Sequence, residues 1–337
     1  MRRPTSFDIA ALAGVSQPTV SRALSGNPAV SAETRARVLA AAEALHYKVD
    51  KNASNLRRQA SRTLALLFFE DPAPGETLIN PFFLSMLGAI TKSCAAAGYD
   101  LLISFQQLSG NWHVDYEDAR KADGLILLGY GDYLEYLPRL EQLLDQGTHF
   151  VRWGSQRPGQ IGPTVGSDNH MGGRVATQHL IERGRRRIGF IGTASPGFPE
   201  FLDRHDGHAA ALAEAGLAAD RALYREAISS EADRLAAARD LIAAGADFDA
   251  LFCASDLIAL GAIRALAEAG RGVPDDVAVV GFDDQPAASL TNPPLTTISQ
   301  DARRAGETLV ETLLALLRGE APAPAPLPVR LIVRASS

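Results

Sequence analysis

The sequence is poor in the residues that anchor small secreted or metal-bound folds. It holds two cysteines, Cys94 and Cys253, in 337 residues. They lie far apart and without metal-type spacing, which argues against a disulfide scaffold or a zinc site and for a reducing compartment. Both read as buried, inert thiols. Long apolar runs are also missing. "TLALLFF" and "GLILL" are strand-length, well short of the roughly 18 residues of a membrane helix. The start "MRRPTSFDIA" carries two arginines but no apolar stretch follows, so no secretory signal is expected. Together these absences point to a cytoplasmic protein with no membrane partner. Catalytic signatures are equally scarce. There is no GxSxG elbow, no Walker loop and no HExxH. "HDGH" places His205 and His208 three apart on a helix, but two histidines without a third ligand read as structural or exposed. "GYGDY" is too loose for a nucleotide fingerprint. The expectation is therefore a protein that is not an enzyme and uses no cofactor and no metal.

What is present suits a soluble globular protein: 46% hydrophobic and 21% charged residues. The length suggests two or three domains. The net charge of −6 conceals a split. Residues 1–62 hold ten Lys/Arg against four Asp/Glu, a balance of +6, and the remaining 275 residues hold 23 against 35, a balance of −12. A basic end on an acidic body is a hint of nucleic-acid binding, although a basic end can also be merely solvated.

The basic end has a readable layout. Ser6 is a candidate cap for a helix with apolar Phe7, Ile9, Ala10, Leu12 and Ala13. Gly14 suits its C-terminus. Ser16 is the next candidate cap, and Pro18 sits in a first turn where its missing N–H costs nothing. "TVSRAL" follows, giving helix, short turn, helix. Val15 and Val20 suit the joint between the two. Ser31, Glu33 and Thr34 open a third helix through Val38, Leu39, Ala42 and Leu45. The second helix presents Gln17, Thr19, Ser21, Arg22 and Ser25, a face of donors that base reading requires and core packing does not. Arg22 suits a fork to guanine or a phosphate contact. Pro18 can offer a base edge only apolar contact. After His46 and Tyr47, "KVDKNASNLRRQAS" is polar and basic with Leu56 as its lone large apolar residue. It reads either as a plain linker or as a short helix that forms against a partner.

From Arg62 onward, buried strands alternate with helices. "TLALLFF", "YDLLISF", "GLILLG" and "THFVRWG" are separated by helical stretches near 81–97, 112–121 and 133–146. "RRIGFIG", "ALFCASD" and "VAVVGFDD" repeat the alternation, with helices near 169–183, 203–215, 231–244 and 256–269. This predicts two α/β lobes of doubly wound parallel sheet with a cleft between them. Polar residues gather at the carboxyl ends of the strands: Glu70, Asp71, Asp168, Asp256 and Asp283. Ligands bind at that edge of open α/β sheets. Asp256 reads as the cap of its helix. "EAPAPAPLP" at 320–328 reads as a stiff crossover before a last strand, "VRLIV". No heptad segment follows, which favours a dimer without a coiled-coil tail.

"FDIAALAGVSQPTVSRALSGNPAVSAETRARVLAAAEALHY" resembles the headpiece of the LacI/GalR family of bacterial transcription regulators. "SDNHMGGRVATQHLIERGRRRIGFIG", "DRHDGHAAAL", "ALFCASDLIALGAIRALAEAGRGVPDDVAVVGFDD" and "NPPLTTISQDARRAGE" resemble that family's regulatory domain, in order and over essentially the whole chain. The resemblance implies a helix-turn-helix headpiece at 1–48, a hinge helix at 49–61 and an effector-binding and dimerisation domain at 62–337. The latter would be two-lobed and similar to periplasmic binding proteins. Its first lobe is expected at about 62–165 and 296–320, its second at about 166–295 and 321–337. Gln17, Pro18 and Arg22 would read bases, while Ser16, Thr19, Ser21 and Ser31 position the backbone. Ala53 and Leu56 belong to the implied hinge, whose leucine would wedge into the minor groove. Arg57, Arg58 and Arg62 would add phosphate contacts. Val49-Asp50 departs from the family's usual Pro-Asn entry to that hinge.

In the cleft, Asp168, Arg204, Ser255 and Asp283 would meet an effector. Carboxylates and arginine suit vicinal hydroxyls, hence a sugar or sugar derivative. An internal salt bridge for Arg204 and a capping role for Asp283 compete with that role. Phe82, Phe83 and Trp153 could stack on a sugar face or fill the core. Ser255 stands where several relatives have asparagine. The expected partners are a second copy of the chain, pseudo-palindromic double-stranded operator DNA and a small effector. The expected function is a repressor of carbohydrate-use genes, nucleoid-associated when bound. The rival is a sugar-binding protein without operator-specific DNA binding.

Overall fold

The computed structural model describes residues 4–24, 27–45, 47, 60–68, 79–105, 110–129, 131–228 and 231–337. By its contacts the chain divides into two units, Met1–Ser61 and Arg62–Ser337.

The first unit has three helices: α1 (Ser6–Ala13), α2 (Gln17–Leu24) and α3 (Ala32–Ala44). The cap of α1 is Thr5 rather than Ser6. The Asp8 carboxylate accepts from both the Thr5 N–H and the Thr5 hydroxyl at 2.7 Å, so the acid three residues on selects the cap. Gly14 closes α1 at φ 62°, a conformation that costs glycine little. The Ser31 hydroxyl caps α3 on the Thr34 N–H. Ile9, Val20 and Val38 are wholly buried, among alanines 10, 13, 23, 41 and 42. Phe7, Leu12 and Leu39, counted among the apolar positions of their helices, lie exposed because only one stripe of each short helix meets the core.

The second unit holds two sheets. The first contains β1 (Thr63–Phe68), β2 (Asp100–Phe105), β3 (Gly124–Leu128), β4 (Phe150–Trp153) and β5 (Thr164–Val165), all parallel, in the order β2-β1-β3-β4-β5. Helices α4 (Pro81–Ala96) and α5 (Tyr133–Asp145) cover it. The stretch expected as a helix near 112–121 is a π-helix, His113–Asp118. The second sheet contains β6 (Ile188–Ile191), β7 (Tyr224–Arg225), β8 (Ala250–Cys253), β9 (Ala278–Asp283), β10 (Thr296–Gln300) and β11 (Val329–Ile332), in the order β11-β10-β9-β8-β6-β7. Its helices are α6 (Asn169–Glu182), α7 (Pro199–Glu214), α8 (Glu231–Ala243) and α9 (Asp256–Glu268).

Two details of the second sheet differ from expectation. The strand at 296–300 was assigned to the first lobe, but it pairs with β9 in the second sheet. Only the helix that follows, α10 (Ala302–Leu317), crosses back, where Ala305, Leu309 and Leu313 join Phe82, Met86 and Ile90. A buried strand carries no local sign of the sheet it joins. The last strand, β11, runs antiparallel to β10, so the second sheet is mixed.

Close backbone packing fixes one region near the cleft. A Cβ added at Gly173 would lie 2.0 Å from the Arg204 carbonyl oxygen, and one at Gly207 2.0 Å from that of His170. Only glycines let α6 and α7 approach this closely. That contact sets Arg204 beside the start of α6.

Candidate functional site

In the first unit, α2 separates its residues by chemistry. Val20 and Ala23 face the core. Pro18 and Arg22, one turn apart, are exposed, as is Ser16 just ahead of the helix, while Thr19 and Ser21 are partly exposed. Gln17 is half-buried and donates to the Ser6 hydroxyl at 3.2 Å. The Ser16 and Thr19 hydroxyls lie 2.8 Å apart, and the Ser31 hydroxyl caps α3. The helix thus offers an exposed guanidinium and hydroxyls on the face opposite its packing, which fits it to enter a groove. Ala53, Leu56, Arg57 and Arg58 of the implied hinge, and Ser25 and the strand-end acids Glu70 and Asp71, lie outside the described residues.

In the second unit, Arg204 and Asp283 come together. Arg204 is wholly buried on α7. Its Nε donates to Asn169 Oδ1 at 2.9 Å and its Nη1 to the Ala254 carbonyl at 2.5 Å. The guanidinium lies 3.7 Å from the Phe282 ring centroid, and its Nη1 3.7 Å from Asp283 Oδ1. Asp283 ends β9 at φ 113°, a strained conformation of the kind that collects at functional sites. Its carboxylate accepts from the Gln300 amide at 2.7 Å and faces the Gln285 amide at 3.5 Å. Burial pushes Asp283 up to about 6, against the opposing pull of Arg204 and the two glutamines.

Other expected residues take different places. The Asp168 carboxylate caps α6 on the Met171 N–H at 2.9 Å. Its neighbour Asn169 is the one that reaches Arg204. Ser255 is the cap of α9, accepting from the Ile258 N–H, and not Asp256 as the sequence suggested. Asp256 is wholly buried and accepts from the Gln285 N–H at 2.7 Å and the Thr297 hydroxyl at 2.5 Å. Burial, then the nearby Asp283, raise it well above the usual carboxylate range. Phe82 and Trp153 are buried with ring centroids 5.7 Å apart, in the first lobe's core together with Phe83. Trp153 also borders a small cavity shared with Tyr133, Tyr136, Arg152, Pro199 and Glu200. His205 and His208 pack on Phe190, and His208 is hydrogen-bonded to Thr177. Among the described residues, no group of three or more His, Cys, Asp or Glu is placed to hold a metal ion, and no helix is long and apolar enough to cross a membrane.

Sequence reasoning missed the residues that join the lobes. The Gln285 amide donates to Asn80 Oδ1, the cap of α4, at 3.2 Å. On the far side, the Ser155 N–H donates to Glu200 Oε1 at 2.9 Å, and its hydroxyl to Asp203. Arg157 pairs with Asp203 at 2.5 Å and Asp206 at 3.0 Å. The Tyr133 N–H meets the Gly197 carbonyl at 2.7 Å. Glutamines and serines carry no conspicuous motif. Gln300, at the carboxyl end of its strand, was nonetheless where the strand-edge rule points.

Comparison with known proteins accounts for this arrangement. Residues 7–50 match the bacterial regulatory proteins of the lacI family, and residues 177–337 a periplasmic binding protein-like domain. The transcriptional regulator CelR of Thermobifida fusca is 35% identical over 339 residues, covering 98% of this chain and 96% of CelR. This chain belongs to the LacI family. It is accordingly a helix-turn-helix transcriptional regulator with a two-lobed sensing domain. MalR of Streptomyces coelicolor is 34% identical, covering 94% of this chain and 91% of its own. Among solved structures, a CelR–cellobiose complex matches with a TM-score of 0.73 at 32% identity, covering 99% and 100% of the two chains. The lac repressor dimer bound to operator and the anti-inducer ONPF matches at 0.84 and 27%, covering 99% of each.

Proposed function

We propose that this LacI-family regulator is a dimeric repressor of carbohydrate-use genes, released or engaged by a sugar or sugar derivative bound between its lobes. The observation that carries the reading is the wholly buried Arg204–Asp283 cluster at the carboxyl edge of the second sheet, close to the cross-lobe bond between Gln285 and Asn80. CelR's complex with cellobiose supports a sugar as the ligand class. In this reading Asp168, Arg204, Ser255 and Asp283 surround the effector, with Phe82 and Trp153 supplying an apolar wall. The protein works in the cytoplasm and catalyses no reaction.

Two headpieces read a pseudo-palindromic operator, as a two-fold dimer requires. Gln17, Pro18 and Arg22 meet base edges. Ser16, Thr19, Ser21, Ser31 and Arg57 hold the backbone, and Ala53 and Leu56 act at the operator centre. Sugar binding shifts the closure of the lobes, and operator affinity changes with it, since both sites bias one equilibrium.

A thermal-shift screen of the full chain over neutral sugars and sugar phosphates tests the sensing half, because a ligand of the native state raises its melting temperature. Gel shifts with a pseudo-palindromic duplex at increasing salt test the other half. A steep loss of affinity with salt is expected. Salt-indifferent binding, or none, would remove the operator reading.

A further inference from the structure

Gln17 opens α2, the helix with the exposed polar face, and it is held from α1. Its Nε2 donates to the Ser6 hydroxyl at 3.2 Å, across eleven residues of sequence. Both residues are half-buried. Ser6 is not the cap of α1. Thr5 and Asp8 close that end between them, so the Ser6 hydroxyl is left to serve another group. Beside Gln17, the Ser16 and Thr19 hydroxyls meet each other, and the Pro18 ring has neither donor nor acceptor.

The bond to Ser6 uses part of what the amide offers. A glutamine amide carries two hydrogens and one carbonyl oxygen. One hydrogen goes to Ser6. The other hydrogen and the carbonyl remain, and that pair matches the N7 acceptor and the N6 amino donor of adenine in the major groove. Guanine presents two acceptors there, O6 and N7, and would set one of them against the carbonyl. The tether also acts before DNA arrives. A loose glutamine gives up its rotamer freedom when it meets a base, and one already held gives up less. A loose amide can turn over and exchange donor for acceptor, whereas a tethered one keeps its orientation.

We propose that Ser6 is a positioning residue for sequence recognition: it holds the Gln17 amide so that Gln17 reads adenine in each operator half-site. The proposal rests on the reading above, in which Gln17 meets a base edge. It adds the residue that orients Gln17 and the base that Gln17 selects.

The test first selects duplexes with the full chain from a pool whose two half-sites are randomised about a two-fold centre. Fluorescence anisotropy then compares the selected duplex with duplexes changed at one position at a time. Wild type should prefer adenine at one position per half-site by about tenfold or more, and Gln17→Ala should lose that preference. Ser6→Ala and Ser6→Val, which remove the hydroxyl, should each cut the preference about fivefold, on the order of one ordinary hydrogen bond. Their affinity for an unrelated duplex of equal length should stay at the wild-type level, which also shows that the headpiece is folded. Ser6→Thr keeps the hydroxyl and should keep the preference. In a Gln17→Ala background, Ser6→Ala should change nothing further at that position. A bond that merely braces the two helices would instead lower affinity for every duplex alike, and that result would overturn the proposal. Full adenine preference in folded Ser6→Ala and Ser6→Val would overturn it too, as would a Gln17-dependent preference for another base; each leaves Gln17 as a reader. If Gln17→Ala keeps every positional preference of wild type, or wild type selects no duplex, base reading by Gln17 itself falls and the proposal with it.

Discussion

The two units treat polar residues in opposite ways. Among its described residues the headpiece buries only aliphatic groups, with Ile9, Val20 and Val38 at the centre of a core otherwise made of alanine. Its arginine and hydroxyls stay at the surface of α2. The sensing unit buries Arg204, Asp256 and Asp283 completely or nearly so and satisfies them from several strands and helices. A group that meets DNA needs access and little support. A group that discriminates a small ligand needs a dry, fixed setting, and that setting depends on the rest of the domain. Substitutions should therefore damage binding alone in the headpiece's polar face, and stability as well as binding in the cleft.

The largest effect should come from Arg204→Ala. It leaves Asp283 buried without its cation, and should destabilise the sensing unit by about 3–5 kcal/mol. Thermal unfolding would show the loss, and any sugar response should go with it. A melting temperature close to wild type would contradict the buried-charge side of the comparison.

Val20→Ala is the matching lesion in the headpiece core. It should cost that unit roughly 2 kcal/mol, read as lost headpiece signals in NMR spectra while the sensing unit's transition stays in place. Arg22→Ala should do the reverse. It should leave both transitions alone and weaken operator binding by about 1–3 kcal/mol, measured by fluorescence anisotropy.

Acid should also separate the units. His208 is wholly enclosed, and burial, then His205, lower its pKa to about 3. The unfolded chain binds this proton more readily than the folded one. The stabilising difference is present above the ordinary histidine range and is lost as pH falls from about 6.5 toward 3. A pH series of melting temperatures should show the sensing unit weakening over that window, and His208→Gln should flatten that part of the slope. An unchanged slope would remove His208 from the account.

Legibility in the sequence follows the same division. The helix-turn-helix was readable because caps, Gly14 and the Pro18 position are local signals. The alternation of strands and helices gave the α/β class for the same reason. Which sheet Thr296–Gln300 joins was not readable, because crossovers are decided by long-range packing. Ser255 and Asp256 are both good capping residues, so their exchange of roles depended on the Gln285 N–H and Thr297 hydroxyl arriving from distant segments. Arg204 and Asp283 were visible as types, while Asn169, Gln285 and Asn80 became visible only when the fold brought them together.

The central claim is that a sugar in the cleft governs the headpiece's hold on DNA. The most direct measurement titrates a neutral disaccharide, cellobiose first, into the full chain bound to a fluorescent pseudo-palindromic operator at constant salt. The account predicts a saturable change in operator affinity that disappears in a folded, conservative Arg204→Lys variant. Operator affinity that stays constant while the same sugar demonstrably raises the melting temperature would contradict it.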